Sequence, residues 1–120
     1  MGTFRKRIEI GNTDGGDSME VDAAVDTGAA HSMFPASLLA GLRVEPVANR
    51  QFRFADGNAA NLDVGLALIA IDAEQWPCPV LFSPEETQFL LGATTLEIFD
   101  LMVDPVEQQL IPRIHQARIF

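Results

Sequence analysis

Asp26-Thr27-Gly28 is the part of this sequence with the clearest chemical potential. It places a carboxylate at a glycine turn directly after an apolar run at 21–25. A carboxylate can activate water for hydrolysis. A hydrolase that activates water with carboxylates needs two of them, which share one proton. The sequence contains no second Asp-Thr-Gly and no Asp-Ser-Gly. A second copy of the chain, related by a twofold axis, is the economical source of the missing carboxylate.

Other reactive side chains give weaker signals. His31 and His115 lie far apart without Cys or an acidic residue at ligand spacing, so the sequence predicts no metal site and no cofactor. His31 lies beside the Asp-Thr-Gly loop, where it could line a substrate pocket. Cys78 has no base nearby and is typical of a small packed side chain. A serine-hydrolase mechanism through Ser32 would leave the Asp-Thr-Gly stretch without a role.

Length and charge limit the classes of protein that fit. The chain has 120 residues, which predicts a single domain over 1–120, and 48% of its residues are hydrophobic. Its formal net charge is −9, so it should repel polyanions, and nucleic acid is not an expected partner. The short basic cluster at 5–7 is more typical of a solvated strand than of a binding patch.

Cysteine content and hydropathy bear on location. A single cysteine excludes an intrachain disulfide framework, and the N-terminus has no apolar core of a secretory signal. The longest apolar stretch, at 64–71, is too short to cross a bilayer as a helix. These observations predict a cytoplasmic protein without membrane association.

The pattern of short apolar runs separated by Gly, Pro, Asn and Asp predicts a mostly β domain. Strands are expected at 4–10 and 19–25, with a hairpin connection between them. A short helix is expected at 35–41, between a proline and a glycine. Extended segments at 44–55 and 62–71 flank Asp56-Gly57 and predict a long hairpin whose tip spans 55–61.

The second half of the chain predicts further short elements. A strand at 76–82 is expected at a sheet edge, because Pro77 and Pro79 cannot donate to a ladder. A capped helical turn is predicted at 83–86 and an apolar strand at 89–91. Thr94-x-x-Glu97 predicts a capping box that opens a short helix through Phe99. Closing strands are predicted at 101–103 and 109–111.

Three features occur in one order: Val25-Asp26-Thr27-Gly28-Ala29, the hairpin near Asp56-Gly57, and Leu90-Leu91-Gly92 before a short helix. Over about 19–112 the chain resembles a retropepsin, the single-lobe aspartic protease of retroviral type, and more closely the free-standing bacterial relatives of that family. The resemblance implies an all-β acid protease fold: a closed β-barrel with one or two short helices that forms a C2 homodimer.

The resemblance also implies roles for individual residues. Asp26 would be the catalytic carboxylate, Thr27 would hydrogen-bond across the dimer, and Gly28 would present its amide to the carboxylates. The hairpin near Asp56-Gly57 would be the flap that closes over an extended peptide. The implied substrate-binding residues are Ala29, Ala30, His31, Met33, Ala55, Asp56, Gly57, Asn58 and Leu90. Phe34 and Leu66 are further candidates for the wall of the cleft, and the alternative for Phe34 and Leu90 is a place in the ordinary core.

The sequence departs from the family pattern at several positions. Viral members carry an ion pair where this chain has Ala30 and Ala93, so its dimer could be weaker or built differently. Gly57 is the only glycine of the predicted flap tip, and the chain has no tyrosine. The apolar tail at 113–120 could either join the dimer interface or fold back on its own subunit.

The resemblance implies a homodimeric aspartic endopeptidase that acts on peptide or protein substrates. The alternative is a retropepsin-like module for dimerisation or peptide binding, with weak or no turnover. The intact Asp26-Thr27-Gly28 favours the enzyme, because a binding module has no chemical reason to keep it.

Overall fold

The computed structural model describes residues 4–114, which form nine strands and two short helices. In chain order these elements are β1 (Phe4–Gly11), β2 (Ser18–Val25), β3 (Ser32–Pro35), α1 (Ala36–Gly41), β4 (Pro46–Arg53), β5 (Ala59–Ile71), β6 (Glu74–Ser83), β7 (Leu90–Leu91), α2 (Ala93–Ile98), β8 (Leu101–Asp104) and β9 (Gln109–Pro112).

The main sheet closes on itself. Its strand order is β1-β2-β7-β3-β6-β5-β4, and β1 also pairs with β5. Six strands therefore form a closed ring, and β4 pairs with β5 outside that ring. The 13 residues of β5 make this possible, because residues 64–71 pair with β6 while residues 59–65 pair with β4. The predicted closed all-β barrel is confirmed, and the β4–β5 hairpin projects from it as an arm.

Alternation along the strands fills the barrel with apolar side chains. Ala67, Ile69 and Ile71 on β5 point inward and are almost fully buried. Leu66 lies on the opposite face and is 48% exposed, so it faces outward and not into a cleft. Phe34 on β3 is 0% exposed and belongs to the core.

The prediction that the proline-containing strand is an edge strand is wrong for β6 as a whole. β6 lies between β3 and β5, but β3 covers only residues 80–83. Pro77 and Pro79 fall in the preceding part of β6, which pairs with β5 alone. Residues two apart turn their nitrogens to the same side, so both missing donors can face the side that has no partner strand.

The helix signals near the end of the chain need two corrections. Ser83 does cap the following turn, since its Oγ accepts a hydrogen bond from the Glu85 amide at 3.0 Å, but the turn does not become a helix. Helix α2 begins at Ala93 with Gly92 as its N-cap and no side-chain cap bond, so Thr94 forms no capping box. β3 was not predicted, because its pairing with β6 and β7 is long-range.

The basic cluster at the start of β1 is paired with acidic side chains. Arg5 Nε lies 3.0 Å from Asp22 Oδ2, and Arg7 Nη1 lies 3.5 Å from Glu20 Oε1 across the β1–β2 ladder. Lys6 Nζ lies 2.9 Å from Asp72 Oδ1. The cluster lies along an exposed strand, as predicted, and such exposed ion pairs contribute little to stability.

Strands β8 and β9 form a separate two-stranded sheet after α2. The Arg113 amide donates to the Asp100 carbonyl at 2.7 Å and holds the end of β9 near α2. The predicted role of the tail at 113–120 concerns residues that lie, from 115 onward, outside the described part. Within residues 4–114, no helix has the length and apolar character needed to span a membrane.

Cys78 packs inside the barrel and is 0% exposed. Burial raises the pKa of its thiol from 9.0 to about 11, and a hydrogen bond with Thr95 offsets part of this increase. The folded protein therefore keeps the thiol proton at pH values where the unfolded chain loses it. We expect the free energy of unfolding to fall by roughly 2–3 kcal/mol as the pH rises from about 9 to about 11.

Urea denaturation at pH 8, 9, 10 and 11 measures this fall, with Cys78→Ala as the matched control. The variant should be less stable at pH 8 because of its cavity, yet lack the extra alkaline loss. If the free energies of unfolding of the two proteins fell in parallel with pH, Cys78 would not be the source of the alkaline loss of stability.

Candidate active site

The Asp26 loop connects β2 to β3 and turns tightly on its own backbone. The Gly28 amide donates to Asp26 Oδ1 at 2.9 Å, and the Ala29 amide donates to the Asp26 carbonyl at 3.2 Å. A Cβ on residue 28 would lie 3.1 Å from Asp26 Oδ1. Glycine therefore lets the amide approach the carboxylate, and this contact fixes one oxygen of a half-buried acid.

The end of β7 and the residues after it brace this loop through main-chain hydrogen bonds. The Asp26 amide donates to the Leu91 carbonyl at 3.0 Å, and the Ala93 amide donates to the Ala29 carbonyl at 2.8 Å. The Thr94 amide adds a bond to the Ala30 carbonyl at 2.9 Å. Ala30 and Ala93 have no charged side chains, and main-chain hydrogen bonds at these positions join the loop to the start of α2.

Gly92 sits directly against the loop. A Cβ at this position would lie 2.5 Å from both the carbonyl carbon and the carbonyl oxygen of His31, and 2.9 Å from the Ala29 carbonyl oxygen. Only a residue without a side chain fits this close approach of two backbones. The apolar-apolar-Gly pattern of the sequence thus corresponds to a steric requirement at the loop.

The β4–β5 arm ends in a well-bonded turn. Gly57 has φ 90°, and its amide donates to the Phe54 carbonyl at 2.9 Å. Asp56 accepts hydrogen bonds from the Asn58 amide at 2.9 Å and from the Asn58 side chain at 3.0 Å. Arg53 Nη1 donates to the Gly57 carbonyl at 3.4 Å. One glycine is enough for this tip, because the aspartate and the arginine secure the rest of the turn.

A ring contact joins the arm to the Asp26 loop. The His31 and Phe52 ring centroids lie 5.6 Å apart with an interplanar angle of 75°, an edge-to-face arrangement. The arm and the loop enclose a cleft of about 770 Å³, within the range of small-molecule and peptide sites. The cleft is therefore walled by the hairpin on one side and by the loop on the other.

The cleft brings together most of the residues selected from the sequence. Those that line it are Asp26, Gly28, Ala29, Ala30, His31, Met33, Ala55 and Leu90. Thr27 and the tip residues Asp56, Gly57 and Asn58 do not line it and are exposed. Each of these four lies at the outer end of the loop or of the arm.

The structure also adds cleft residues that were not selected as binding residues. Phe52, Arg53, Phe54 and Leu62 come from the arm, and Leu81, Ser83, Pro84, Glu85 and Gln88 come from the end of β6 and the turn after it. The alternation of Phe52 and Phe54 was a usable signal. The second group had none, because it reaches the cleft only through the parallel pairing of β3 with β6.

Charges in the cleft are few. Asp26 and Glu85 are its acidic side chains, and Arg53 is its basic one, with His31 beside the loop. Among the described residues, no group of three or more His, Cys, Asp or Glu side chains is arranged to hold a metal ion.

Comparison with solved structures identifies the fold. The solution structure of the simian foamy virus (mac) protease matches with a TM-score of 0.58 and 20% sequence identity, covering 79% of this chain and 93% of that one. The fold is that of a retroviral protease. No protein-family model matches the sequence, and no curated protein matches it significantly.

Two longer viral proteins contain the same retroviral protease fold. The foamy viral protease-reverse transcriptase in complex with an RNA/DNA hybrid matches at a TM-score of 0.57 and 15% identity, covering 86% of this chain and 14% of that one. The native prototype foamy virus protease-reverse transcriptase matches with a TM-score of 0.51 and 16% sequence identity, and the match covers 88% of this chain and 14% of that one. This chain therefore spans only about one seventh of those two proteins.

Proposed function

We propose that the chain is an aspartic endopeptidase of retropepsin type, which hydrolyses peptide bonds with water activated between the Asp26 carboxylates of two copies. The observation that carries this proposal is the position of Asp26 in a cleft covered by a hairpin arm, with Oδ1 held by the Gly28 amide. The retroviral protease fold supports it.

The chemistry follows from two like charges at close range. Carboxylates about 3 Å apart cannot both ionise, so one keeps a proton. The protonated member polarises the substrate carbonyl, while the charged member takes a proton from the attacking water. The resulting tetrahedral intermediate breaks its C–N bond, and the leaving nitrogen receives a proton from the dyad. Water is consumed, and no metal or covalent nucleophile takes part.

The cleft suits an extended peptide. Met33, Leu90 and Phe52 offer apolar surface beside Asp26, which favours apolar side chains near the scissile bond. The arm acts as the flap, and its tip, including Asp56, Gly57 and Asn58, approaches the bound peptide when it closes. Thr27 is exposed in the single chain, and we assign it to hydrogen bonding across the dimer.

The resemblance to bacterial single-domain members and a cytoplasmic location remain predictions from the sequence. A peptide-binding or dimerisation module would use the same cleft without turnover. Incubating the protein with a defined peptide mixture, and identifying products by mass spectrometry, separates the two functions: cleavage supports the protease, and saturable binding without any product supports the module.

Dilution tests the need for two copies. Because one Asp26 cannot act as acid and base together, activity per mole of chain should fall about tenfold for each tenfold dilution below the dimer dissociation constant. Initial rates from micromolar to nanomolar protein, with sedimentation over the same range, measure this dependence.

Excess Asp26→Asn chain provides the matched test of the same point. It should inhibit the wild-type protein, because mixed dimers carry a single carboxylate. Constant activity per mole in a monomeric sample, together with no inhibition by the variant, would contradict the two-copy mechanism.

A further inference from the structure

A buried chain of hydroxyl groups lies directly beneath the Asp26 loop. Ser32 and Thr95 are both 0% exposed, and their oxygens lie 2.6 Å apart. The Gly92 amide donates to Ser32 Oγ at 3.0 Å. Buried hydroxyls are costly unless their donors and acceptors are satisfied, so the arrangement of these two requires an explanation.

The hydrogen bonds assign a direction to this chain. Ser32 Oγ accepts from the Gly92 amide, and its own proton is then free to go to Thr95 Oγ1. The Thr95 hydroxyl hydrogen-bonds with Cys78, and Cys78 Sγ lies 3.5 Å from the Trp76 carbonyl oxygen. Protons running from Gly92 through Ser32, Thr95 and Cys78 to that carbonyl give each group one donor and one acceptor role. No buried side-chain nitrogen or oxygen in residues 4–114 lacks a partner.

The chain of hydroxyl groups begins at the Gly92 amide, in the segment that holds the Asp26 loop. Gly92 lies between Leu91, whose carbonyl accepts the Asp26 amide, and Ala93, whose amide donates to the Ala29 carbonyl. Its backbone also packs against His31 so closely that a Cβ would not fit. A rotation of the Leu91–Gly92 peptide would therefore disturb the Asp26 and Ala29 hydrogen bonds together.

We propose that Ser32 and Thr95 are positioning residues that hold the Gly92 peptide, and through it the Asp26 carboxylate, in the geometry for catalysis. The assignment rests on the proposed peptidase function for its kinetic consequence only. The loop order that the two hydroxyls maintain is a property of the fold and is measurable without turnover.

Thr95→Val removes the hydroxyl and keeps the size of the side chain. We expect kcat to fall about 10-fold to 30-fold with KM within about twofold, because misplacement of a reacting group acts on the transition state. Thr95→Ser restores the hydroxyl and should recover kcat to within about threefold of wild type. Ser32→Ala should have the larger effect, because it leaves the Gly92 amide buried without an acceptor.

Ile69→Val is the stability-matched control. Ile69 is 0% exposed, and it lies on β5, which pairs with none of β2, β3 or β7. Ile69 faces Trp76 across the β5–β6 ladder, and shortening its side chain destabilises the core while every hydroxyl, thiol and amide of the hydroxyl chain stays in place. A general loss of stability would therefore affect Ile69→Val and Thr95→Val alike, whereas loss of positioning affects only the second.

Amide hydrogen exchange gives the readout that is independent of activity. In Thr95→Val the amides of Asp26, Gly92 and Ala93 should exchange at least about tenfold faster than in Ile69→Val of equal stability, with recovery in Thr95→Ser. If the wild-type protein cleaves no peptide, the peptidase proposal fails, and the exchange rates still decide the role of the hydroxyl chain.

Equal exchange rates and equal kinetics in Thr95→Val and Ile69→Val would overturn the positioning role. If Thr95→Val does not fold, Cys78→Ala removes the acceptor of the Thr95 hydroxyl and leaves the Ser32–Thr95 contact. It should raise exchange at the same three amides by a smaller factor, and unchanged exchange there would equally overturn the proposal.

Discussion

Asp26→Asn is expected to reduce peptide hydrolysis at least about 10³-fold while leaving the fold intact. Asparagine is nearly isosteric with aspartate, and its side-chain oxygen can still accept the Gly28 amide that bonds Asp26 Oδ1 at 2.9 Å. What disappears is the ionisable proton that the proposed pair of Asp26 carboxylates would share. The measurement is the rate of cleavage of a fixed peptide, with circular dichroism and sedimentation to verify fold and mass.

Asp17→Asn is the matched control for this substitution. It makes the same change of charge on the exposed connection between β1 and β2. We expect it to keep the wild-type rate within about twofold, as is usual for a surface substitution. An Asp26→Asn protein that still turns over at a comparable rate would require another catalytic group.

Gly92→Ala should have the largest effect on folding of any single methyl addition near the site. The new Cβ would meet the His31 carbonyl group at 2.5 Å and the Ala29 carbonyl oxygen at 2.9 Å, and all three contacts are with backbone atoms that cannot rotate away. We expect the free energy of unfolding to fall by about 3 kcal/mol. Any protein that still folds should lose at least about 10²-fold in activity, because the loop must shift.

Gly41→Ala provides the comparison for this methyl group. Gly41 ends α1, and a Cβ there would have no neighbour within 4 Å. Its unfolding free energy should stay within about 0.5 kcal/mol of wild type or rise slightly, since alanine favours helix. Urea denaturation of both variants measures the difference. Equal stabilities would show that the loop can move aside at no cost.

The long hairpin was predictable because its signals are local. Apolar runs on both sides of Asp56-Gly57 specify two strands and the turn that joins them. The turn is found with Gly57 at φ 90°. The same reasoning located the Asp26 turn and the short helix after Pro35, because each depends on residues within a few positions.

Long-range pairing could not be predicted in this way. β3 is four residues long, and it exists because β6 and β7 pair with it. The order of strands decided that Pro77 and Pro79 lie in an internal strand, in the part that β3 leaves uncovered. The Thr94 capping box failed for a related reason: packing of Gly92 against His31 fixes where α2 starts, regardless of local preference.

The sequence by itself indicated where the candidate site lies, since one Asp-Thr-Gly turn and one apolar-apolar-Gly turn are visible as short patterns with physical reasons for each glycine. The tertiary structure alone decided which other side chains join them. Ser32, Cys78 and Thr95 are separated by up to 63 positions, and each looks unremarkable in its own segment. They meet because the barrel closes around them, and burial then makes their hydrogen bonds obligatory.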